Sequence, residues 1–535
     1  MKKTRKTLSA VFILASTAMI SCSTPSNHKQ QKMTSKQEIS LNIVSEPATL
    51  DPRRVRALND TNLTKCLMEG LMRINKLGVT SPAIAEKYQV SEDMKTYTFK
   101  LRESKWSNGD PLTAHDFVYA WKKTLSPNFP SDYAFMLFPM KNAKSIKEGL
   151  LPSTMLGVEA KDDYTLKIEL EFPVPFFLEL VTAPAFFPVN KLVDLADPNW
   201  SRSPETYVSN GPFRLSDWRH HDQIKLSKNH LYWDQETVKL DSISMVMVDA
   251  ETGMRMFEAG ELAWDGSPFS SLPPDSLETL QAKNKIHSHP MLGTFWIRTN
   301  TSLFPFHNEG VRKALALAID RKQIVEHVTM GGQIPATGIV PASMGLQNTP
   351  YFEDGNTSEA IHILNVSLEK EHLSIEKLPE FTLSYTTDIR SHRVAQAIQD
   401  QWIKALGIQV KLEPLEPKVY FSRLAKGDFQ LACGSWIADF RDPINFLEVF
   451  KTKSVGTNNT NWESLDYQKA ISDSYFAVSD SARRETLRQG EEILMNEMPV
   501  IPVFHYSMLH VKNDTLCDVV LTDGGHIDFK WAYVQ

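Results

Sequence analysis

FTLSYTTDIRSHRVAQAIQDQWIKALGIQVKL, residues 381–412, carries two periodicities in succession. Phe381, Leu383 and Tyr385 alternate with polar neighbours, the pattern of a half-buried strand. Val394, Ile398, Trp402 and Ala405 then recur at helical spacing, and Gly407 stands where a C-cap would close that helix. Ile408, Val410 and Leu412 alternate again. A strand, a helix and a second strand predict a parallel pair joined by a right-handed crossover, and hence an α/β architecture for the second half of the chain.

The first half reads as β-rich. Residues 39–44 alternate toward a strand and run into the turn-like Ser45-Glu46-Pro47. Tyr97, Phe99 and Leu101 alternate with Thr98, Lys100 and Arg102, and Tyr164, Leu166, Ile168 and Leu170 repeat the pattern. Asn108-Gly109-Asp110-Pro111 is a strong turn signal. Thr113 follows it as a helix N-cap, with Asp116 three residues on as a near capping box. Residues 311–319 form a further amphipathic helix ended by Asp320-Arg321.

A chain of 535 residues exceeds the size of a single core, so several structural units are expected. The N-terminus reads as an export signal. Lys2, Lys3, Arg5 and Lys6 form a positive region, and residues 8–20 are apolar apart from small hydroxyls, too short a run for a comfortable membrane span. Met19-Ile20-Ser21-Cys22 resembles a lipobox, in which a small residue precedes the cysteine that takes the diacylglycerol. Residues 1–21 are therefore expected to be a signal peptide and Cys22 the lipidated first residue of the mature chain. Residues 22–38, rich in Ser, Lys, Gln and Thr, read as a flexible tether. Loss of the four leader cations from a formal charge of −6 makes the mature chain more acidic, which argues against nucleic acid as a partner. Cys66, Cys433 and Cys517 are an odd set, so at least one thiol stays unpaired. Each reads first as a small buried hydrophobe.

Motifs for chemistry are scarce. There is no phosphate-binding GxxxxGK[ST], no GxSxG, no HExxH and no dinucleotide fingerprint. His220-His221-Asp222 follows Trp218-Arg219 in a polar loop and reads as a solvated turn. His505 and His510, five apart in an apolar run, cannot face one site. No cofactor and no catalytic residue is expected, and the chain is read as a binder, not an enzyme.

Several short stretches, taken together, resemble the peptide-binding proteins of ABC importers (extracytoplasmic solute-binding protein family 5). They are Ser45-Glu46-Pro47 with Leu50-Asp51-Pro52, Pro82-Ala83-Ile84-Ala85-Glu86, and Trp106-Ser107-Asn108-Gly109 with Leu112-Thr113-Ala114-His115-Asp116. Farther on come Asn210-Gly211-Pro212-Phe213, Tyr232-Trp233-Asp234, Val311-Arg312-Lys313-Ala314-Leu315 and Trp436-Ile437-Ala438-Asp439-Phe440. They keep family order from about residue 39 to the C-terminus. The resemblance implies a periplasmic-binding-protein-like two-lobe fold of cluster C type. Lobe I would comprise residues 39–68, 191–292 and 507–535, with an extra subdomain at 69–190, and lobe II residues 293–506. It also implies capture of short peptides in a closing cleft, delivery to ABC importer permease subunits, a lipid anchor on the periplasmic or envelope side, and a monomer. Receptors for murein peptides, a nickel chelate, heme or a sugar share the fold, and a surface adhesin could retain it, because fold does not dictate ligand.

The same resemblance assigns Asp439 to the ligand's free ammonium. Ser435, Ile437 and Cys433 are expected along one edge of the peptide, and Arg56, Ala57 and Leu58 along the other. Trp436, Tyr133, Phe295 and Trp296 would form the pocket wall. The chain departs from the better-known relatives at Gly293 and Ile437, which stand in place of a disulfide. Cys433 stands in place of a carboxylate-binding basic residue, Pro417 in place of a pocket tryptophan, and Arg56 in place of a glutamate. His392 or Arg393 is a substitute cation to be considered.

Overall fold

The computed structural model describes residues 36–346, 349–453 and 457–535. The expected signal peptide and Cys22 lie outside them. The chain opens with β1 (Glu38–Asn42), which ends two residues before Val44 adopts a left-handed backbone, and α1 (Leu58–Leu67). A small antiparallel sheet follows, built from β2 (Ala85–Val90), β3 (Thr96–Leu101), β4 (Val158–Asp162) and β5 (Thr165–Glu169) in the order β2-β3-β5-β4. The alternation read in the sequence is the burial pattern of β3, with Tyr97, Phe99 and Leu101 inside. Between β3 and β4 in sequence lies α2 (Ala114–Thr124), opened by the Thr113–Asp116 capping box.

After α3 (Lys191–Ala196) come β6 (Phe213–Arg219), β7 (Gln223–Lys228), β8 (Ser242–Val246) and β9 (Trp264–Gly266). The remaining elements that position the site are β10 (His287–Thr299), α4 (Glu309–Leu317), β11 (Phe381–Thr386), α5 (Ile389–Leu406), β12 (Val410–Leu415), α6 (Pro417–Ala425), β13 (Leu431–Ile437) and β14 (Val500–Lys512). The large sheet runs β6-β7-β8-β1-β9-β14-β10-β13-β11-β12, with the short strand Ile334–Pro335 also on β14. The predicted crossover is present. β11 and β12 pair in parallel from Phe381↔Val410 to Thr386↔Leu415, and α5 connects them. Asp388 caps the start of α5 by accepting the Ser391 N–H at 2.9 Å, and Gly407 ends it at φ +69°, a conformation that costs glycine nothing. α4 starts two residues earlier than its apolar spacing predicts, because the Asn308 side chain accepts from Gly310 N at 2.9 Å and sets the first turn there.

Buried apolar residues divide into separate cores, the expression of a two-lobe fold. One cluster holds Leu41, Phe99, Trp121, Phe213 and Trp264 and closes on Leu516 and Phe529 near the C-terminus. Two others draw their buried residues only from positions 292 to 504. The 13-residue strands β10 and β14 run through both sides. Their pairing is regular from His287↔His510 to Pro290↔Ser507 and resumes at Thr294↔His505, so Met291, Leu292 and Gly293 oppose only Tyr506. That irregularity interrupts the two connecting strands at one level, where a bend meets least resistance.

The two histidines of β14 are core residues. His505 shares a 2.8 Å hydrogen bond with Thr294, and His510 stacks on Trp264 at 3.9 Å. His220 and His221 sit in a turn and meet the Glu46 carboxylate. Asp194, at 2% side-chain exposure, is a hub for three segments. It accepts from both terminal nitrogens of Arg53 (2.9 and 2.6 Å), from Tyr119 Oη (2.6 Å) and Lys123 Nζ (2.9 Å) on α2, and from Trp200 Nε1 (3.0 Å). Among the described residues no helix is long and apolar enough to cross a membrane.

Candidate functional site

β13 has one fully paired edge and one largely open edge. It pairs antiparallel with β10 from Gly293↔Ile437 to Thr299↔Leu431, but parallel with β11 only at Leu431 and Ala432. From Cys433 to Ile437 no strand covers the second edge among the described residues. The Cys433 carbonyl marks which side is open, since it accepts the hydroxyl of Tyr420 on α6. Backbone groups two residues apart point the same way, so Ser435 and Ile437 also present their N–H and C=O to that edge. Ala438 confirms the alternation, donating its N–H back to Leu292 O at 2.8 Å.

Immediately beyond β13 the chain turns, and Asn445 holds the turn. Its Oδ1 accepts from Trp436 Nε1 at 2.7 Å and from Asp439 N at 3.3 Å. Asp442 braces the same loop. It caps Ile444 N at 3.0 Å and takes two 2.8 Å bonds from the buried Arg483. Phe440 stacks on Phe176 at 4.7 Å and 6° between planes, tying this loop to a ring that packs against two of the cores.

Asp439 is thus fixed at the end of an open strand edge. Its Oδ1 accepts the Tyr133 hydroxyl at 3.2 Å, from 306 residues away, and no Lys, Arg or His pairs with it among the described residues. Burial pushes its carboxyl up, and the bonds from Tyr133 and Asn445 offset this only in part. Asp439, Ile437 and Tyr133 line a cavity of about 760 Å³ together with Arg56, Leu58 and Val55. The volume falls within the range of pockets that hold small ligands. An unpaired carboxylate beside a backbone edge can accept a cation whose attached chain lies extended along that edge.

The other expected site residues are distributed differently. Arg56 reaches the cavity but is exposed and pairs with Asp132 at 2.8 Å. Leu58 opens α1 and lines the cavity, whereas Ala57, the N-cap of that helix, does not. Ser435 is exposed on the open edge, and Trp436 is half-buried against a core. Cys433 contributes backbone only. Its thiol is buried, and burial pushes it up to about 12. Phe295 and Trp296 are core residues outside the cavity lining. Phe295 stacks on Phe504 at 4.9 Å, and Trp296 packs edge-on against Phe450 at 5.5 Å. The reason is that β10 is an interior strand with a core on each face. Gly293 and Ile437 oppose each other across β10 and β13, and Cys66, Cys433 and Cys517 are free thiols. Pro417 opens α6. His392 is engaged by Tyr385 Oη at 2.6 Å, and neither it nor Arg393 lines the cavity.

The supporting residues Asn445 and Asp442 were not singled out from sequence, although Asp442-Pro443 is a helix-start signal that could have found the second. Among the described residues no group of three or more His, Cys, Asp or Glu side chains could hold a metal ion.

Residues 80–458 match the middle region of the bacterial extracellular solute-binding proteins, family 5. The oligopeptide-binding protein OppA of Bacillus subtilis is 38% identical over 537 residues, covering 99% of this chain and 98% of its own. The unliganded open form of MppA, a periplasmic murein tripeptide binding protein, superposes with a TM-score of 0.83 at 28% identity, covering 94% of this chain and 98% of that one. Haemophilus influenzae OppA in complex with RPPGFSPFR gives a TM-score of 0.74 at 30% identity, covering 94% and 99%. With an open strand edge and a fixed carboxylate between two lobes, and with these relatives matched over nearly its whole length, the chain belongs to family 5 of the bacterial extracellular solute-binding proteins.

Proposed function

We propose that this protein is the receptor subunit of an ABC importer and captures short peptides by their free amino terminus. The observation that carries this reading is Asp439, a carboxylate without a cation among the described residues, at the end of the open edge of β13 and inside the cavity between the lobes. A peptide ammonium would pair with it, and the peptide backbone would add as a strand to Ser435 and Ile437. Main-chain pairing gives affinity without reading side chains, which suits a receptor for many sequences. Arg56 and Leu58 would face the peptide's far side. The names of the relatives, oligopeptide-binding and murein tripeptide-binding, support the ligand class.

In this reading the lobes part at residues 293 and 506, with residues 69–190 an extra subdomain of the first lobe, and the break in β10–β14 pairing is the hinge on which they close. Delivery to a permease follows from the family's role. Cys22 would carry the lipid that holds the receptor at the membrane, and the intact mass of the envelope-purified protein reads that modification directly.

A murein peptide, with its additional carboxylates, is the second reading, favoured by the likeness to MppA. Mass spectrometry of ligands that copurify with the mature protein decides the class. The expected result is a mixture of peptides of about three to five residues with unblocked amino termini. A single muropeptide would select the second reading, and a sugar, heme or metal chelate would overturn both.

A further inference from the structure

Five arginines are buried among the described residues: Arg53, Arg298, Arg312, Arg321 and Arg483. Four have carboxylate or carbonyl partners, although Arg321 Nη2 and Arg483 Nε remain without an acceptor. Arg53 meets Asp51 and Asp194, Arg483 meets Asp442, Arg321 meets Asp354 and backbone carbonyls, and Arg312 binds the carbonyls of Phe306, His307, Glu497 and Met498. Arg298 is the exception. It is 5% exposed on β10, at the register of Ala432, and its side chain has neither an ion pair nor a hydrogen bond among the described residues. Its Nε is buried without an acceptor, and so is Trp296 Nε1, two residues back on the same face of the strand.

Neither residue lines the 760 Å³ cavity, but the two orphaned donors converge on one point at the start of the open strand edge. A Cβ built on Gly434 would stand 1.8 Å from Arg298 Nη1 and 3.2 Å from Trp296 Nε1. The absence of a side chain at 434 is therefore what admits the guanidinium. That point lies on β13 between Cys433 and Ser435, where the open edge begins. Asp439 is five residues farther along, a span of at most roughly 16 Å for an extended strand, shortened by the turn after β13, and an extended peptide of about four or five residues covers it from ammonium to carboxylate. Tyr420 is a titratable neighbour, and its hydroxyl is already committed to the Cys433 carbonyl. The Arg298 guanidinium lies 5.4 Å from the centroid of the Trp296 ring, a cation–π contact that offsets part of its burial, but with no counter-charge it is still costly to keep, and a planar fork beside an indole N–H is matched to a carboxylate.

We infer that Arg298, assisted by Trp296 Nε1, receives a carboxylate of the bound ligand and makes this receptor selective for acidic groups at the end of the cleft opposite Asp439. This inference rests on the peptide reading above. The carboxylate has two sources, the peptide's C-terminus or a Glu or Asp side chain near its third residue, and the test separates them.

Wild-type protein and Arg298→Met are titrated calorimetrically with tri-, tetra- and penta-alanine as free acids and as C-terminal amides. Tetrapeptide amides carrying Glu or Gln at the third position are titrated in parallel. The expected result is a preference of about 10- to 100-fold for one acidic form in the wild type, abolished in Arg298→Met. A free-acid preference identifies the C-terminus, and a Glu preference identifies the side chain. Ligand-free Arg298→Met is expected to unfold at an equal or higher urea concentration than the wild type, the opposite of what removal of a structural arginine gives. Should Arg298→Met fail to fold, a structural role is established and the inference falls. Arg298→Lys, which keeps the charge but not the fork, is expected to retain a reduced preference. A wild type that binds these peptides with no acidic preference, or a variant that keeps the preference, overturns the inference alone. A wild type that binds none of them overturns the peptide reading itself.

Discussion

Asp439→Ala is expected to weaken binding of an unmodified tetrapeptide by about two to nearly four orders of magnitude, the loss that follows when one partner of a desolvated ion pair is removed, about 3–5 kcal/mol. The wild type should lose a similar amount when the same peptide is N-acetylated, because the acetyl group removes the other charge. The two changes address one interaction, so combining them should add little. Tyr133→Phe deletes a single hydrogen bond to Oδ1 and should cost only about 1 kcal/mol. Isothermal calorimetry on this set reads all four values. Equal affinity for the free and acetylated peptides would remove Asp439 from recognition and leave only the fold. Acid should act on the same contact. Burial raises the Asp439 carboxyl in the ligand-free protein, so its ionised form, which the ammonium requires, is lost on acidification at a higher pH than for an ordinary aspartate. Affinity should therefore fall while most surface carboxylates are still charged.

Asp194→Ala should destabilise the folded protein by about 3–5 kcal/mol without touching the cleft. The substitution leaves Arg53, 2% exposed, with Asp51 alone, and strands Tyr119 Oη and Trp200 Nε1. Burial by itself would raise the Asp194 carboxyl, but the hydrogen bonds and charge of Arg53, with Tyr119 and Lys123, hold it well below the usual carboxylate range. A depressed carboxylate contributes stability above its unfolded-state pKa of about 3.9 and loses it as pH falls toward the folded value. The urea midpoint of the wild type should thus drop more steeply below about pH 4 than that of Asp194→Asn. Parallel curves for the two proteins would show that the hub carries no linked protonation.

Much of the fold is legible in single segments. The alternation in β3 and β5, the capping box of α2, the crossover of β11, α5 and β12 and the Gly407 stop all arise within single contiguous segments, and each appears in the structure where its pattern lies. Where boundaries shift, as at α4, the cause is also local, a side-chain cap that overrides apolar spacing. The aromatic residues show the opposite case. Phe295 and Trp296 resemble pocket residues in sequence, but burial is decided by which strands flank β10, and both of its faces are covered.

Periodicity and caps are enough to specify the secondary elements and the α/β class, because they depend on neighbours along the chain, whereas Asp439 is singled out only through the resemblance of the Trp436-Ile437-Ala438-Asp439 stretch to the family. The tertiary structure alone decided that β11 stops covering β13 at Ala432, that Tyr133 meets Asp439 across 306 positions, and that Arg298 is buried with neither an ion pair nor a hydrogen bond among the described residues. Each of these depends on how strands from distant segments are set side by side, a relation that arises only when the chain folds.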